Sequence, residues 1–340
     1  MGKFRFGKII RKKASFLVIA CLAGISMLLG GCGKEEESQR YAWPLGTASP
    51  EDTVTQLFAE KFADEVYRLS DGRMKIQVYP NSVLGGDSAL LETCADGDIP
   101  FVVQNTAPQV PFMKDLAVFD LPCVFDSLDE CREKLDDPEF YSMISDVYED
   151  GGYRLLGMAD QGFRVMSTNK NVASIDDFKG QKIRTMENSY HIAFWKSLGA
   201  NPTPMSFSEV YIGLQQHTID AQENPYEVIV SNRLFEQQDY VVETNHLPHL
   251  ISLIVNDEFY LELSEEDREI FDKAATEAVL YARGKSDERI SARIEEIEES
   301  GTEITVLPET VREEIRQASQ GVYDTIKENI DAGLYAKYMD

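Results

Sequence analysis

The sequence contains no G-x-G-x-x-G, no G-x-x-x-x-G-K-[ST], no H-E-x-x-H and no G-x-S-x-G. A dinucleotide cradle, a P-loop, a zincin centre and the nucleophile elbow of an α/β-hydrolase are therefore all missing, and Leu84-Gly85-Gly86 is too short to cradle a phosphate. Histidine is scarce, with four residues in 340. His246 and His249 are separated by Pro248, which argues against a helical metal-binding pair, and His191 and His217 have no evident nucleophile beside them. No cofactor, no metal and no catalytic residue are expected, so the chain does not read as an enzyme. Cysteine is scarce as well: beyond residue 32 only Cys94, Cys123 and Cys131 remain, too few for a disulfide scaffold and without Cys-x-x-Cys spacing. Free thiols are the default, with a Cys123–Cys131 bridge left open as the alternative.

Positive charge is also in short supply. The chain carries 33 Lys and Arg against 59 Asp and Glu, a formal charge of -26. The first 31 residues hold six of the basic groups (Lys3, Arg5, Lys8, Arg11, Lys12 and Lys13) and no acid. The other 309 thus have 27 basic against 59 acidic groups, a net of -32. Such a field repels a polyphosphate, and nucleic acid is excluded as a partner. At 43% AVILMFWYC the composition is that of a globular protein rather than a disordered acidic tail.

What is present begins with an export signal. Residues 14–29, ASFLVIACLAGISMLL, form an uncharged run of 16 residues after the basic segment, shorter than the roughly 20 residues of a membrane-spanning helix. Leu29-Gly30-Gly31-Cys32 then resembles the lipobox of bacterial lipoproteins. Residues 1–31 read as a signal peptide, Cys32 as the lipidated mature N-terminus, and 32–40 as a polar tether. An uncleaved hydrophobic anchor is the alternative. The protein is then expected outside the cytoplasm, held to the membrane by its N-terminal lipid.

Along the remaining chain strand and helix alternate, which predicts an α/β fold. Tyr41–Leu45 reads as a strand and Ser49-Pro50-Glu51-Asp52 as a helix start; Ile76–Val78 and Phe101–Val103 are further strands. Ser127–Glu130 and Ser206–Glu209 fit capping boxes, and helices are expected over 189–198 and 206–216. Leu155–Met158, Arg164–Ser167, Lys182–Arg184 and Leu250–Val255 read as separate strands, with Asn245–His249 as an interruption. Two α/β lobes fit this pattern and length. From Ser264 to about Glu299 the helical pattern has no proline, giving either one helix of roughly 50 Å or two broken near Gly284.

Two arginines stand out against the acidic background. Arg164 follows Gln161-Gly162-Phe163, and Arg184 ends Gln181-Lys182-Ile183, places where an open α/β sheet presents side chains to a crevice. A guanidinium grips a carboxylate through two parallel hydrogen bonds. From the residues alone, a surface salt bridge to one of the many acids remains open for each.

Further segments carry a family resemblance. They are Phe62-Ala63 with Asp71-Gly72-Arg73, Tyr79-Pro80-Asn81, Leu84-Gly85, Asp120-Leu121-Pro122, Gly162-Phe163-Arg164, Asp177 to Arg184, Leu198 to Thr203, Glu209-Val210-Tyr211, Leu214-Gln215-Gln216, and Ile219-Asp220-Ala221-Gln222-Glu223-Asn224-Pro225. In order and spacing the chain resembles the extracytoplasmic solute-binding subunits of TRAP transporters, the DctP family. The resemblance implies a two-lobe, periplasmic-binding-protein-like fold with a cleft, hinge strands and a long lobe-spanning helix. It places lobe one at 41–161 plus 250–288 and lobe two at 162–249 plus 289–340. It implies that Arg184 clamps a ligand carboxylate, that Arg164 and Asn224 contact the same acid, and that a monomer hands a small organic anion to TRAP permease subunits driven by an ion gradient. A sensor subunit or a component of another transporter is the alternative within this class, and a secreted hydrolase the alternative outside it. The chain departs from the family at Pro100, Cys123 and Gly213.

Overall fold

The computed structural model describes residue 39 and residues 41–340. The signal segment, Cys32 and all of the 32–40 tether except Gln39 lie outside the described residues. Gln39 itself is tied to the fold, its amide bonding both N–H and C=O of Lys75.

The described chain is α/β with two lobes. Lobe one begins with β1 (Trp43–Gly46), α1 (Val54–Leu69), β2 (Ile76–Tyr79), α2 (Asp87–Ala95) and β3 (Phe101–Asn105). Two 3-10 turns, Ala107–Gln109 and Lys114–Asp120, lead to α3 (Leu128–Asp136) and α4 (Pro138–Asp150). The 16-residue β4 (Tyr153–Thr168) carries the chain into lobe two, with β5 (Lys182–Thr185), α5 (Ser189–Ser197), β6 (Asn201–Pro204), α6 (Val210–Gln215), β7 (Ala221–Asn224) and α7 (Tyr226–Ser231). The 17-residue β8 (Tyr240–Asn256) carries it back to α8 (Asp257–Glu262) and α9 (Glu265–Glu299). The chain ends with β9 (Glu303–Val306), α10 (Glu309–Ala318), α11 (Gln320–Asn329) and α12 (Ala332–Met339).

One sheet runs through both lobes in the order β2-β1-β3-β8-β4-β7-β5-β6, with β9 on β8. In each lobe short strands lie parallel, β1 with β2 and β3, and β5 with β6 and β7. The long pair β4 and β8 is antiparallel and joins the halves. The expected break at Asn245–His249 is instead a distortion within β8. Pairing jumps from Arg164↔Leu247 to Met166↔Val242, so residues 243–246 bulge, with Asn245 at φ 41°. On β4 the shift between Asp160↔Leu250 and Phe163↔Pro248 bulges out Gln161 and Gly162. Gly162 sits at φ 92°, where a side chain would be strained and would crowd Ile290. Leu155–Met158 and Arg164–Ser167, read as two strands, are thus halves of one.

The first helix starts later than its hydroxyl-proline signal suggests. Thr53 is the cap, accepting from the Gln56 N–H at 3.2 Å, because Asp52 at φ 57° turns the chain just before it. Ser127 caps α3 as expected, accepting from Glu130 N–H. Ser206 does not cap; residues 207–209 form a 3-10 turn and α6 begins at Val210.

Of the two readings for residues 264–299, the single helix is the one found: α9 is unbroken over 35 residues, and Gly284 faces open space. A lone glycine in a helix costs only about 1 kcal/mol, and contacts on both sides outweigh it. Phe271, Ala274, Ala275, Ala278 and Ala282 pack into the lobe-one core with Phe58, Phe62 and Phe101. Ile294 and Ile297 join the lobe-two core with Val165, Val210 and Leu214. Gly157 of β4 lets the helix approach, since a Cβ there would lie 2.6 Å from Val279 Cγ2. A third cluster draws residues from both lobes and from the C-terminal helices, where Tyr338 packs edge-on against Phe119 and Phe125.

Cys94, Cys123 and Cys131 are free thiols, so the Cys123–Cys131 bridge is not formed. Burial pushes Cys94 up to about 12 and Cys123 up to about 11, which leaves both as unreactive thiols at neutral pH.

Candidate functional site

Parallel strands end with their carbonyl edge toward the loops that follow, and in an open α/β sheet this is where ligands gather. Here the two parallel sets point at one another. The segment after β1 brings Ala48, Ser49 and Pro50 and the end of β3 brings Asn105 from lobe one, and α2 adds Asp87 at its first residue. The ends of β5 and β7 bring Arg184, Met186 and Asn224 from lobe two, with Phe207 alongside and His249 from the β8 crossing. Together these residues line a cavity between the lobes.

Arg184 is 2% exposed. Its Nε and Nη2 donate to the Met205 carbonyl at 2.9 and 2.6 Å, while Nη1 has no partner. The guanidinium lies over the Phe207 ring, 5.9 Å from its centroid. One edge of the fork is thus held by the backbone, and its far end, Nη1 with the second hydrogen of Nη2, is left for an acceptor. Burial lowers the guanidinium to about 10, Glu223 partly offsets this, and Arg164 adds to it. A buried cation in this state gains from an anion placed at its open end.

Arg164 occupies a different place. It is 1% exposed and does not line the cavity. Nε and Nη2 both bond the Glu223 carboxylate, Nη2 to Oε1 at 2.8 Å, and Nη2 also donates to Asn224 Oδ1 at 3.1 Å. Nη1 contacts Nδ1 of His249. A guanidinium has only donors, so His249 accepts through Nδ1 and carries its proton on Nε2. Burial together with the Arg164 charge holds His249 well below its ordinary value, which keeps the ring neutral. The Asn224 amide, fixed by Arg164 on one side and by Gln222 Oε1 at 2.7 Å on the other, still has a hydrogen and a lone pair to offer. The sequence-predicted residues therefore fall in two layers. Arg184 and Asn224 face the cavity, and Arg164 stands behind, touching Asn224.

Several members of this buried group escaped sequence reasoning. Glu223 is fully buried; burial pushes its carboxyl up, but Arg164, His191 and His246 outweigh that and hold it well below the carboxylate range. His246 Nε2 lies 3.2 Å from Glu223 Oε2. His191, at the start of α5, bonds Asp120 Oδ1 through Nε2 at 2.9 Å, while its Nδ1 faces Glu223 Oε1 at 3.9 Å, too far for a hydrogen bond. Burial opposes its charge, yet Asp120 and Glu223 raise it to about 9. Asn188 joins the same point, donating to Asp120 Oδ2 at 2.7 Å and to the Ala107 carbonyl at 2.9 Å. Glu223 lies within a motif already singled out, but its pairing across 59 residues depends on β4–β7 register. Of the aromatics near the arginines in sequence, Phe207 lines the cavity, whereas Trp195 is core, packed on Phe194 and His246.

A second set of charges ties the rim. Asp52, before α1, is bonded by Arg289 and Arg293 of α9, each at 2.7 Å. The same arginines hold Glu227 of α7 at 2.9 and 3.1 Å, and Ser231 Oγ donates to the Asp52 carbonyl at 2.9 Å.

Comparison with known proteins bears on this geometry. The family model described as bacterial extracellular solute-binding protein, family 7, matches residues 45–329. The C4-dicarboxylate-binding periplasmic protein DctP of Rhodobacter capsulatus is 31% identical over 290 residues, which are 84% of this chain and 86% of that one. The sugar acid binding protein DctPAm of Advenella mimigardefordensis, solved with galactonate, superposes with a TM-score of 0.85 at 26% identity, covering 89% of this chain and 98% of that one. A TRAP periplasmic solute-binding protein from Polaromonas sp. JS666, bound to D-erythronate, gives 0.83 at 28% identity, covering 88% and 98%.

Proposed function

Because this chain belongs to the bacterial extracellular solute-binding proteins of family 7, we propose that it captures a small carboxylate-bearing organic acid outside the cytoplasm and delivers it to a TRAP-type membrane permease. The observation that carries this reading is Arg184, a buried guanidinium with Nη1 unpartnered at a cavity between two lobes. A carboxylate meets that open end with two parallel hydrogen bonds. Asn224 supplies a donor and an acceptor beside it, and Arg164 orients Asn224 and His249 from behind. Relatives named for C4-dicarboxylate and sugar-acid binding, and solved with galactonate and D-erythronate, support the ligand class.

The family is one of solute-binding proteins, so the ligand is held in the cavity rather than turned over. The cavity's histidine, His249, is kept neutral by burial together with the Arg164 charge, and its Nδ1 is taken up by the Arg164 guanidinium. The role is retention and release, governed by opening and closing of the lobes about the bulges at Gln161–Gly162 and at 243–246. Both walls of the cavity come from one chain, which suits a monomer. The membrane attachment rests on Leu29-Gly30-Gly31-Cys32, with Cys32 as the lipidated residue. A thermal-shift screen of the mature protein against organic acids tests the reading, since a ligand that binds only the folded state raises apparent stability by mass action. One or more acids should raise the midpoint, and neutral analogues lacking the carboxylate should not.

A further inference from the structure

The cavity is lined by one cation and by one acid that no side chain among the described residues bonds. Arg184 is the one side chain with a fixed positive charge among the residues lining it. Asp87, the first residue of α2, lines the same space from lobe one and forms no side-chain hydrogen bond among the described residues. Arg184 and Asp87 do not pair; each acts on the other by charge at a distance. Burial pushes the Asp87 carboxyl up to about 6, with Arg184 opposing and Glu187 adding to the rise. An acid at a helix N-terminus serves the helix dipole anyway, so position alone assigns Asp87 nothing. The second observation is the buried, unpartnered Nη1 of Arg184 in the same cavity.

Beyond Asp87 the space continues into a recess lined by Ser88, Ser206 and the exposed Glu187, still with Arg184 as its one cation. A ligand carboxylate seated on Arg184 therefore projects its remaining atoms toward two acids and two hydroxyls. A second carboxylate there would face like charge and find no cation, a cost that disfavours its ionised form. A hydroxyl can donate to Asp87 and exchange hydrogen bonds with the serines. Asp87 is itself only partly buried, but a ligand seated over it shuts it off from water, and one that lacks a donor there leaves the acceptor unsatisfied.

We infer that Asp87 is a specificity-determining residue that selects hydroxylated monocarboxylates, with a ligand hydroxyl donating to its carboxylate, and rejects dicarboxylates of the same length. The inference rests on the reading of the cavity as an acid-binding site and narrows it. It is tested by calorimetry on the mature protein with two length-matched pairs, D-erythronate with succinate and D-gluconate with adipate, and with 4-aminobutyrate as an ammonium-ended acid. In at least one pair the hydroxy acid should bind ten-fold or more tighter than its dicarboxylate. Asp87→Asn should collapse that ratio by ten-fold or more, a change that a purely helix-capping role would not produce. If none of these acids nor any other carboxylate binds, the acid-binding reading itself fails, and this inference with it. If acids bind but the dicarboxylates match or exceed the hydroxy acids, if Asp87→Asn leaves the ratio unchanged, or if 4-aminobutyrate outbinds both hydroxy acids, the assignment of Asp87 is overturned while the acid site stands.

Discussion

His191 of α5 and Asp120 of the 114–120 turn meet at 2.9 Å behind the cavity, joining a helix of lobe two to a segment of lobe one through a buried ion pair. Both side chains are almost fully enclosed, so the contact is shielded from salt in a way that the rim charges are not.

The His191 charge has a consequence for pH dependence. Its pKa is raised from 6.5 to about 9 in the folded protein. The stabilisation is therefore fully present below about 6.5 and is lost as pH rises through about 9. Urea unfolding of wild type and His191→Gln at pH 6, 7.5 and 9.5 should show a difference on the order of 2–3 kcal/mol at pH 6 that shrinks toward pH 9.5. A pH-independent difference would mean that His191 contributes by packing alone.

Ligand affinity should depend most on Arg184. Replacement by Ala removes the only fixed positive charge lining the cavity, and calorimetry with a bound acid should register a loss of about 2–5 kcal/mol. Lysine should rescue little, because an ammonium cannot hold the Met205 carbonyl and a carboxylate in the same fork. Near-wild-type binding by Arg184→Ala would remove the clamp.

Arg164 is predicted to act on ligand through Asn224. Arg164→Ala leaves Glu223 buried without its guanidinium and should destabilise the fold by about 3–5 kcal/mol. In a double-mutant cycle, Arg164→Lys should weaken binding in wild type but add little in an Asn224→Ala background. Simple additivity of the two affinity losses would show that Arg164 reaches the ligand independently.

Asp52 is the lobe-one member of the rim charges and is itself largely exposed, so its pairing is screened and modest. Asp52→Asn should speed ligand dissociation by no more than about five-fold, equivalent to about 1 kcal/mol, and leave the unliganded midpoint almost unchanged. Scattering on the free and saturated wild type should show compaction on binding, because ligand shifts the population only if it prefers the closed form. Unchanged distances between spin labels placed one in each lobe would remove closure as the mechanism.

Intact-mass measurement of membrane-extracted protein should find a diacylglyceryl group on Cys32 as the first residue. A soluble product retaining residues 1–31 would overturn that assignment.

Much of this arrangement was legible from the sequence, for identifiable reasons. Arg184 ends a short apolar strand, and such ends face a crevice, so its place in the cavity followed from the pattern. Asn224 came from the motif that contains it. Arg164 has the same strand-and-turn context as Arg184, yet it lies behind the cavity, because the bulge at Gln161–Gly162 shifts its register toward Glu223. The stretch 245–249, with Pro248 unable to donate, interrupts the strand pattern in the sequence, whereas in the structure the strand runs on through a bulge with Asn245 at positive φ. Proline is tolerated next to a bulge, and that tertiary context lies outside any local signal. Asp87 carries no signal of its own in the sequence, since an acid opening a helix is explained by the helix dipole alone.

The placement of β8 also governs the order in which the molecule can form. Phe101–Asn105 of β3 pair with Ile251–Val255, about 150 residues later, and β4 pairs with the same strand. β1 and β7 cover the other edges of β3 and β4, but the edges that β3 and the first half of β4 turn toward each other stay unpaired until residues around 250 have emerged. Contacts so distant in sequence make folding slow relative to a helical bundle. The cavity between the lobes, whose walls hang on these strands, is therefore assembled only when the last of the three, β8, joins the sheet.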